Sequence, residues 1–537
     1  MPYSQKEFTL SHLIRLIQSI IAIMHTIKPS LWTNSLLISL ASLATAEIKT
    51  PAFFSDGMVL QQKTGAKIWG TADANAEVKI TFAGQSSTAK ASKNGSWNIT
   101  LKGLKASQKG TPLTITAGSD KKQINDVLVG EVWLASGQSN MEWRVSQTTS
   151  KDSIATDKDN LLRIYLSGNI TAESPVTDFA GAWKPTQPEN TGSFTAVGYE
   201  FAKALRQKLN VPVGIIECSW GGKPVQSFVS DEALKACPEA KTMLDQKAVA
   251  IKNYDPAKAQ KNYDAQLLKW KAANAKWQQE KKGRRPRHPR KPQHPALNSN
   301  MPSAIYNGMI APLTGYGARG AIWYQGESNA RGEQAKNYGE LLECLIQDWR
   351  KQWDSNLSFY YVQLANFTRG GKNHPDWVIV QDEMRRLIDD SNSKTGHVGM
   401  ATINDIGHPT DIHPKNKKDV GQRLARWALN QDYGMKDVIL SGPLYKSHKI
   451  NGSAIEITFD HAKGMKSRDG KSPGSFEIAG ADGHWQPATA QITDGKVLIF
   501  SRAVTKPTQA RYAWKSDPTK ANLVNGEGLP TSCFITK

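Results

Sequence analysis

The chain predicts an α/β fold: a doubly wound, mostly parallel sheet flanked at both ends of the sequence by β-sandwich-like segments. Three observations predict it. Between 127 and 434, short apolar runs alternate with stretches at helical spacing, the pattern of parallel strands joined through helices. Before and after that region, apolar and polar residues alternate with period two. And 39% of the 537 residues are hydrophobic, with 16 Trp and 42 Gly, a turn-rich globular composition with length for several domains.

Residues 1–46 read as a leader. The apolar run 35–43 ends in Ala44-Thr45-Ala46, a small-residue cleavage pattern, with Lys28 as basic flank and Met24 as a possible internal start. A membrane anchor is the alternative, but the run is short for a span. The expectation is removal near Ala46 and export to periplasm or medium. No later apolar run approaches the roughly 18 residues of a membrane span. Residues 47–126 read as a β domain: Val78, Ile80 and Phe82 alternate with Lys79 and Thr81, and Trp97, Ile99 and Leu101 with Asn98 and Thr100. Asn94-Gly95 supplies turn chemistry between them.

In 127–434 the expected strands are 127–135, 213–218, 320–324, 359–365 and 398–403. The expected helices are 198–209, 335–352, 377–390 and 417–430. Val378, Met384, Leu387 and Ile388 fall near helical spacing in the third helix. Residues 231–300 interrupt the series as a polar, Lys- and Ala-rich helical excursion. It ends in the proline-broken basic run 281–291. Residues 435–537 return to alternation, with Ile455, Ile457 and Phe459 opposite Ala454, Glu456 and Thr458.

Cys218, Cys237, Cys344 and Cys533 permit three connectivities if all pair. They are too sparse for a disulfide scaffold, and no CxxC metal spacing occurs. The formal charge is +20, about +18 once the leader is set aside. Much of the local excess lies in 281–291, which reads either as a solvated loop or as a grip for phosphates or acidic polysaccharide. No nucleic-acid-binding signature accompanies it.

Four segments carry candidate chemistry, each at the C-terminal end of an expected strand, the rim where open α/β sheets bind ligands. In Gly137-Gln138-Ser139-Asn140-Met141, Ser139 is a candidate nucleophile, and a following helical turn offers N–H groups to negative charge. Gly84-Gln85-Ser86 repeats the tripeptide between alternating strands with no helix after it, so context rather than the match carries weight. Met141 departs from the G-x-S-x-G elbow. In Trp220-Gly221-Gly222-Lys223, either glycine can bring an N–H close to an oxyanion. In Tyr324-Gln325-Gly326-Glu327-Ser328-Asn329, the Gln325 amide can donate to that oxyanion and Glu327 can orient neighbours. In 404–415, His413 can act as general base, with Asp411 or Asp405 orienting its ring. His408, Asp411 and His413 form an alternative metal-binding set, although a ready serine needs neither metal nor cofactor. Together these are the parts of an acyl-transfer site.

The blocks Phe53-Phe54-Ser55-Asp56-Gly57-Met58, Gly130–Met141, Tyr306-Asn307-Gly308-Met309-Ile310, Trp323–Asn329, and Asp411-Ile412-His413-Pro414-Lys415 with Gly421-Gln422-Arg423 resemble the sialate O-acetylesterase family of SGNH hydrolases. The resemblance runs over nearly all of the chain after the leader. It implies a serine esterase acting on O-acetylated glycans, with Ser139 as nucleophile and His413 as base. The implied oxyanion hole uses the N–H groups of Ser139 and of Gly221 or Gly222 with the Gln325 side chain, replacing the asparagine of many SGNH relatives. Asn140, Glu327 and Asn329 would support the site. Thr410 stands three residues before the histidine, where an acid is common, so Asp411 is the nearest acid and Asp405 the alternative. Lys223 and His408 also depart from the family pattern. The expected acetylated sugar is sialic acid or a plant or microbial polysaccharide such as xylan. Three rivals remain: a glycosidase using Glu327 and Asp411, a non-catalytic glycan-binding protein built on the β segments, and a metal-dependent hydrolase.

Overall fold

A computed structural model describes residues 47–394 and 396–536; the leader read at 1–46, with its cleavage near Ala46, lies outside the described residues. The central sheet contains β1 (Asp120–Gly137), β2 (Asp159–Ser167), β3 (Gly181–Thr186), β4 (Val213–Ser219), β5 (Gly320–Tyr324), β6 (Ser358–Val362) and β7 (Val398–Ala401). Their order is β7-β6-β5-β1-β4-β2-β3. Neighbours run parallel except the antiparallel edge pair β2/β3. Five of these seven strands follow the sequence expectation. The edge pair β2/β3 had no assignment.

β1 has two characters, and the reason is burial. Its N-terminal half pairs antiparallel with Ser107–Ala117, which pairs with Glu77–Phe82 and through it with Gln85–Lys90. There one face is wet, so exposed and buried residues alternate. From Val127 onward the strand is covered on both faces. Val132 and Leu134 enter one core while Trp133 and Ala135 enter the other. Alternation therefore gives way to a continuous apolar run. A division at 126/127 falls inside this one strand.

Helices cover both faces. α1 (Ala196–Leu209) and α4 (Lys418–Gln431) share the core of Trp133, Tyr360 and Trp427. Gly421 permits their close approach, because a Cβ there would lie 2.7 Å from the Phe201 nitrogen. α2 (Tyr338–Trp353) and α3 (Pro375–Lys394) cover the other face around Trp323, Trp349 and Phe359. Truncating one of these enclosed indoles to alanine costs about 3–5 kcal/mol. The crossover helices thus fix strand tips, and strand tips carry the candidate residues.

After Gly434, two four-stranded antiparallel sheets form. Ile455, Ile457 and Phe459 face a core shared with Phe476, Tyr512 and Val378 of α3. Residues 231–300 are largely helical, as Asp231–Ala236, Lys241–Lys252 and Pro256–Glu280. The basic run folds back on the last of these: Trp270 Nε1 donates to the Pro286 carbonyl (3.1 Å), and the Arg285 guanidinium lies 5.5 Å over Trp277. The fold is therefore α/β with a mixed central sheet and additional β-sheet regions. Among the described residues, no helix is long and apolar enough to cross a membrane.

Candidate active site

Ser139 opens the short helical turn Ser139–Glu142 directly after β1. β1 reaches this point beside β5 only because residue 137 is glycine: φ is +134°, and a Cβ would sit 2.2 Å from the Tyr324 carbonyl oxygen. Ser136 Oγ donates to the Cys218 carbonyl (2.8 Å), tying β1 to β4 at the same level. As the first residue of its turn, Ser139 presents an N–H with no intrahelical acceptor.

His413 arrives from the segment between β7 and α4, 274 residues away, and its Nε2 lies 2.9 Å from Ser139 Oγ. Its ring stacks on Trp143, with centroids 4.3 Å apart and planes 13° from parallel. Lys415 Nζ sits 4.6 Å from the same indole. Burial holds the imidazole pKa below the ordinary histidine value, the Lys417 and Lys415 charges add to this, and Asp411 opposes it. A neutral imidazole at neutral pH can accept the serine proton.

Neither acid expected to orient His413 is hydrogen-bonded to its ring. Asp405 is turned away: both its oxygens receive Arg423, at 2.6 and 2.8 Å. Asp411 Oδ1 accepts the His413 main-chain N–H at 2.9 Å, so its recorded bond is to the backbone rather than to the ring. The reason is spacing. Two residues apart, an aspartate caps its own local turn as readily as it reaches a side chain. His408 is likewise a turn residue, its Nδ1 accepting the Asp411 N–H (3.0 Å). Among the described residues, no group of three or more His, Cys, Asp or Glu side chains is arranged to hold a metal.

Two expected oxyanion donors are already engaged. Gln325 is fully enclosed, and its amide nitrogen faces Asn329 Oδ1 (2.7 Å), Gln138 Oε1 (3.2 Å) and the Lys223 carbonyl (3.2 Å). Its oxygen accepts from Tyr338. Gln325 thereby ties together the tips of β1, β4 and β5. Gly221 N–H donates to Glu142 Oε2 at 2.7 Å. Gly222, with φ +70° and open space around its Cβ position, is the other glycine. Asn329 is also enclosed, bridging Val225, Gln325 and Gln226.

Beneath the serine lies a polar chain that the sequence reading assembled only in part. Asn140 Nδ2 donates to Glu327 Oε1 (2.5 Å) and to the Ile412 carbonyl (2.9 Å), clamping the residue next to His413. Asn140 Oδ1 accepts from Lys417 Nζ, and that ammonium lies 5.2 Å over the Tyr324 ring. Lys417 is enclosed, and burial pulls its pKa down to about 7. Burial pushes the Glu327 carboxyl up, and its Oε2 is shut in without a partner. Lys417, Trp143 and Glu142 all went unread as site residues. Nothing in a run such as Lys415-Asn416-Lys417-Lys418 marks one lysine as the buried one.

A family model described as "Carbohydrate esterase, sialic acid-specific acetylesterase" matches residues 129–278 and 296–430. The chain belongs to that family. This esterase is also 33% identical to a carbohydrate acetylesterase from Xanthomonas citri of known crystal structure. That match covers 91% of this chain and 100% of the other, with a TM-score of 0.77. Sialate O-acetylesterase of Rattus norvegicus is 29% identical over 514 residues, 87% of this chain and 89% of the relative. The Homo sapiens protein is 27% identical, covering 87% of each. The resemblance read from the sequence blocks therefore holds, and the esterase is a carbohydrate O-acetylesterase rather than a glycosidase or a bare glycan-binding protein. The matched segments contain every candidate site residue and omit 279–295, which includes the basic run.

Proposed function

We propose that this esterase hydrolyses O-acetyl esters of glycans through an acetyl-serine intermediate. The observation that carries the reading is the 2.9 Å approach of His413 Nε2 to Ser139 Oγ in a chain of the acetylesterase family. His413 takes the hydroxyl proton as Oγ attacks the acetyl carbonyl. The imidazolium then protonates the departing sugar oxygen, and water, activated by the same nitrogen, releases acetate. The N–H groups of Ser139 and Gly222 receive the oxyanion. Gly222 is preferred over Gly221, whose N–H already holds Glu142. Asp411 acts through the backbone of His413, and Asn140 with Glu327 and Lys417 holds the histidine segment in place.

The sheet bearing this site is of the SGNH doubly wound kind in this reading, with its catalytic part at 127–434 between β-sandwich-like flanks at 47–126 and 435–537. Parallel β4, β1, β5, β6 and β7 with helices on both faces support that reading. Sialic acid esters and xylan-type polysaccharide esters are the two substrate classes, and the basic run 281–291 favours acidic chains. Lys223, beside the site, lies 5.5 Å over Trp220. Burial lowers its pKa, and the nearby charge of Arg290 lowers it further. An acidic sugar at this rim meets both cations. The leader 1–46 directs export in this reading, and N-terminal sequencing of protein recovered outside the cytoplasm tests it.

Acetate release from O-acetylated sialic acid, acetylated xylan and a neutral acetylated oligosaccharide tests the activity and ranks the substrates. Ser139→Ala should reduce kcat by several orders of magnitude. Retention of most of the acetate release by that variant would refute the serine mechanism.

A further inference from the structure

Cys237 and Cys344 lie away from the catalytic centre, where neither the esterase chemistry nor the leader needs a thiol. Cys237 joins the helix Asp231–Ala236 to the following 3-10 turn, at the start of the 231–300 excursion. Cys344 projects from α2 of the core. The two side chains line one open cavity of about 380 Å³ together with Ala233, Ala236 and Gln347. The helix Asp231–Ala236 and the turn Pro238–Ala240, on either side of Cys237, both pack against α2. Cys237 also donates to Glu239 Oε2 (3.4 Å), and Cys344 lies 3.6 Å from the Ala233 carbonyl.

The other two cysteines offer no competing partner. Cys218 is sealed within β4 beside β1 and Cys533 lies in the C-terminal core, each at most 2% exposed. Of the three connectivities open to four cysteines, the shared cavity favours the one link between 237 and 344.

We propose that Cys237 and Cys344 are a disulfide-forming pair that ties the 231–300 excursion to core helix α2. The oxidant is a small-molecule or protein disulfide reached through the cavity. The Cys237 thiolate attacks one sulfur of that disulfide, forming a mixed disulfide and expelling one thiolate, which takes up a proton. Cys344, losing its proton to solvent, then attacks Cys237 Sγ and expels the second. Two protein thiols and one external disulfide become one protein disulfide and two external thiols. The neighbouring Cys344 side chain lowers the Cys237 thiol pKa, making it the first nucleophile. The link closes a loop of roughly 100 residues, a large constraint on the unfolded chain. This inference is independent of the esterase mechanism.

The experiment uses the full chain incubated with oxidised glutathione, then alkylated and mapped by mass spectrometry without reduction. The expected result is a peptide pair joined through Cys237 and Cys344, lighter by two hydrogens, with Cys218 and Cys533 unlinked. Tm should rise by about 5 °C and return on reduction. Cys237→Ser and Cys344→Ser should each abolish both the link and the Tm shift while acetate release stays unchanged. If both thiols alkylate separately after oxidation, or carry separate glutathione adducts, or link to Cys218 or Cys533, the proposal is overturned.

Discussion

Replacing Asp411 by asparagine probes how the histidine is held. In the structure this carboxylate accepts the His413 main-chain N–H at 2.9 Å and lies close enough to the ring to favour its protonated form. Asparagine keeps an acceptor at Oδ1 and loses only the charge. A hydrogen bond to a charged group is worth about 1 kcal/mol more than a neutral one, so kcat should fall about fivefold. An acid bonded directly to the imidazole would cost about 10⁴ on the same change. The charge also props the His413 pKa upward. Its removal should therefore move the acid limb of kcat/KM to lower pH, because the base is active when neutral. Asp405→Asn is the paired control. It removes the countercharge of Arg423, whose side chain is only 13% exposed, costing about 3 kcal/mol of stability while leaving the rate per folded molecule near wild type. Initial-rate acetate release from pH 4 to 9, with thermal melts, measures both. A 10⁴-fold loss for Asp411→Asn in a folded protein, or a rate defect confined to Asp405→Asn, would refute the backbone-bracing argument.

Three further outcomes follow from the same geometry. Gly221→Ala places a Cβ 2.8 Å from Glu142 Oε2 and 3.3 Å from Ser139 Cβ; shifting the nucleophile by tenths of an ångström should lower kcat by about 10–100-fold with little change in Tm. For the wild type, kcat/KM should fall on acidification with a midpoint below 6.5, since burial and the neighbouring lysines depress His413; a midpoint well above 6.5 would contradict that environment. Gln325→Leu leaves Asn329 Oδ1 and Tyr338 short of partners and should destabilise the fold by about 1–3 kcal/mol per stranded group. If Gln325→Leu instead folds normally and loses kcat by about 100-fold, the amide serves the oxyanion after all.

Much of this site was legible in the sequence because strand tips and their loops announce themselves. The run 127–135 ends in small residues, Gly221-Gly222 and Trp323–Asn329 follow apolar strands, and His413 stands before an amphipathic helix. Those local patterns determined the α/β class, the placing of Ser139 and His413 on one rim, and the alternation seen in Glu77–Phe82 and Ala454–Asp460. The periods 2 and 3.6 are properties of the backbone itself and survive without tertiary context.

What the fold alone decided is who bonds to whom. Asp405 went to Arg423, Asp411 to a main-chain N–H, Gln325 to a sealed network, and Gly221 to Glu142. Lys417, one of several lysines in its run, was chosen for burial under Asn140. Each choice depends on which donors and acceptors lose their water when separate elements pack. An enclosed polar atom takes the partner that packing brings within about 3 Å, and residue order does not specify that distance.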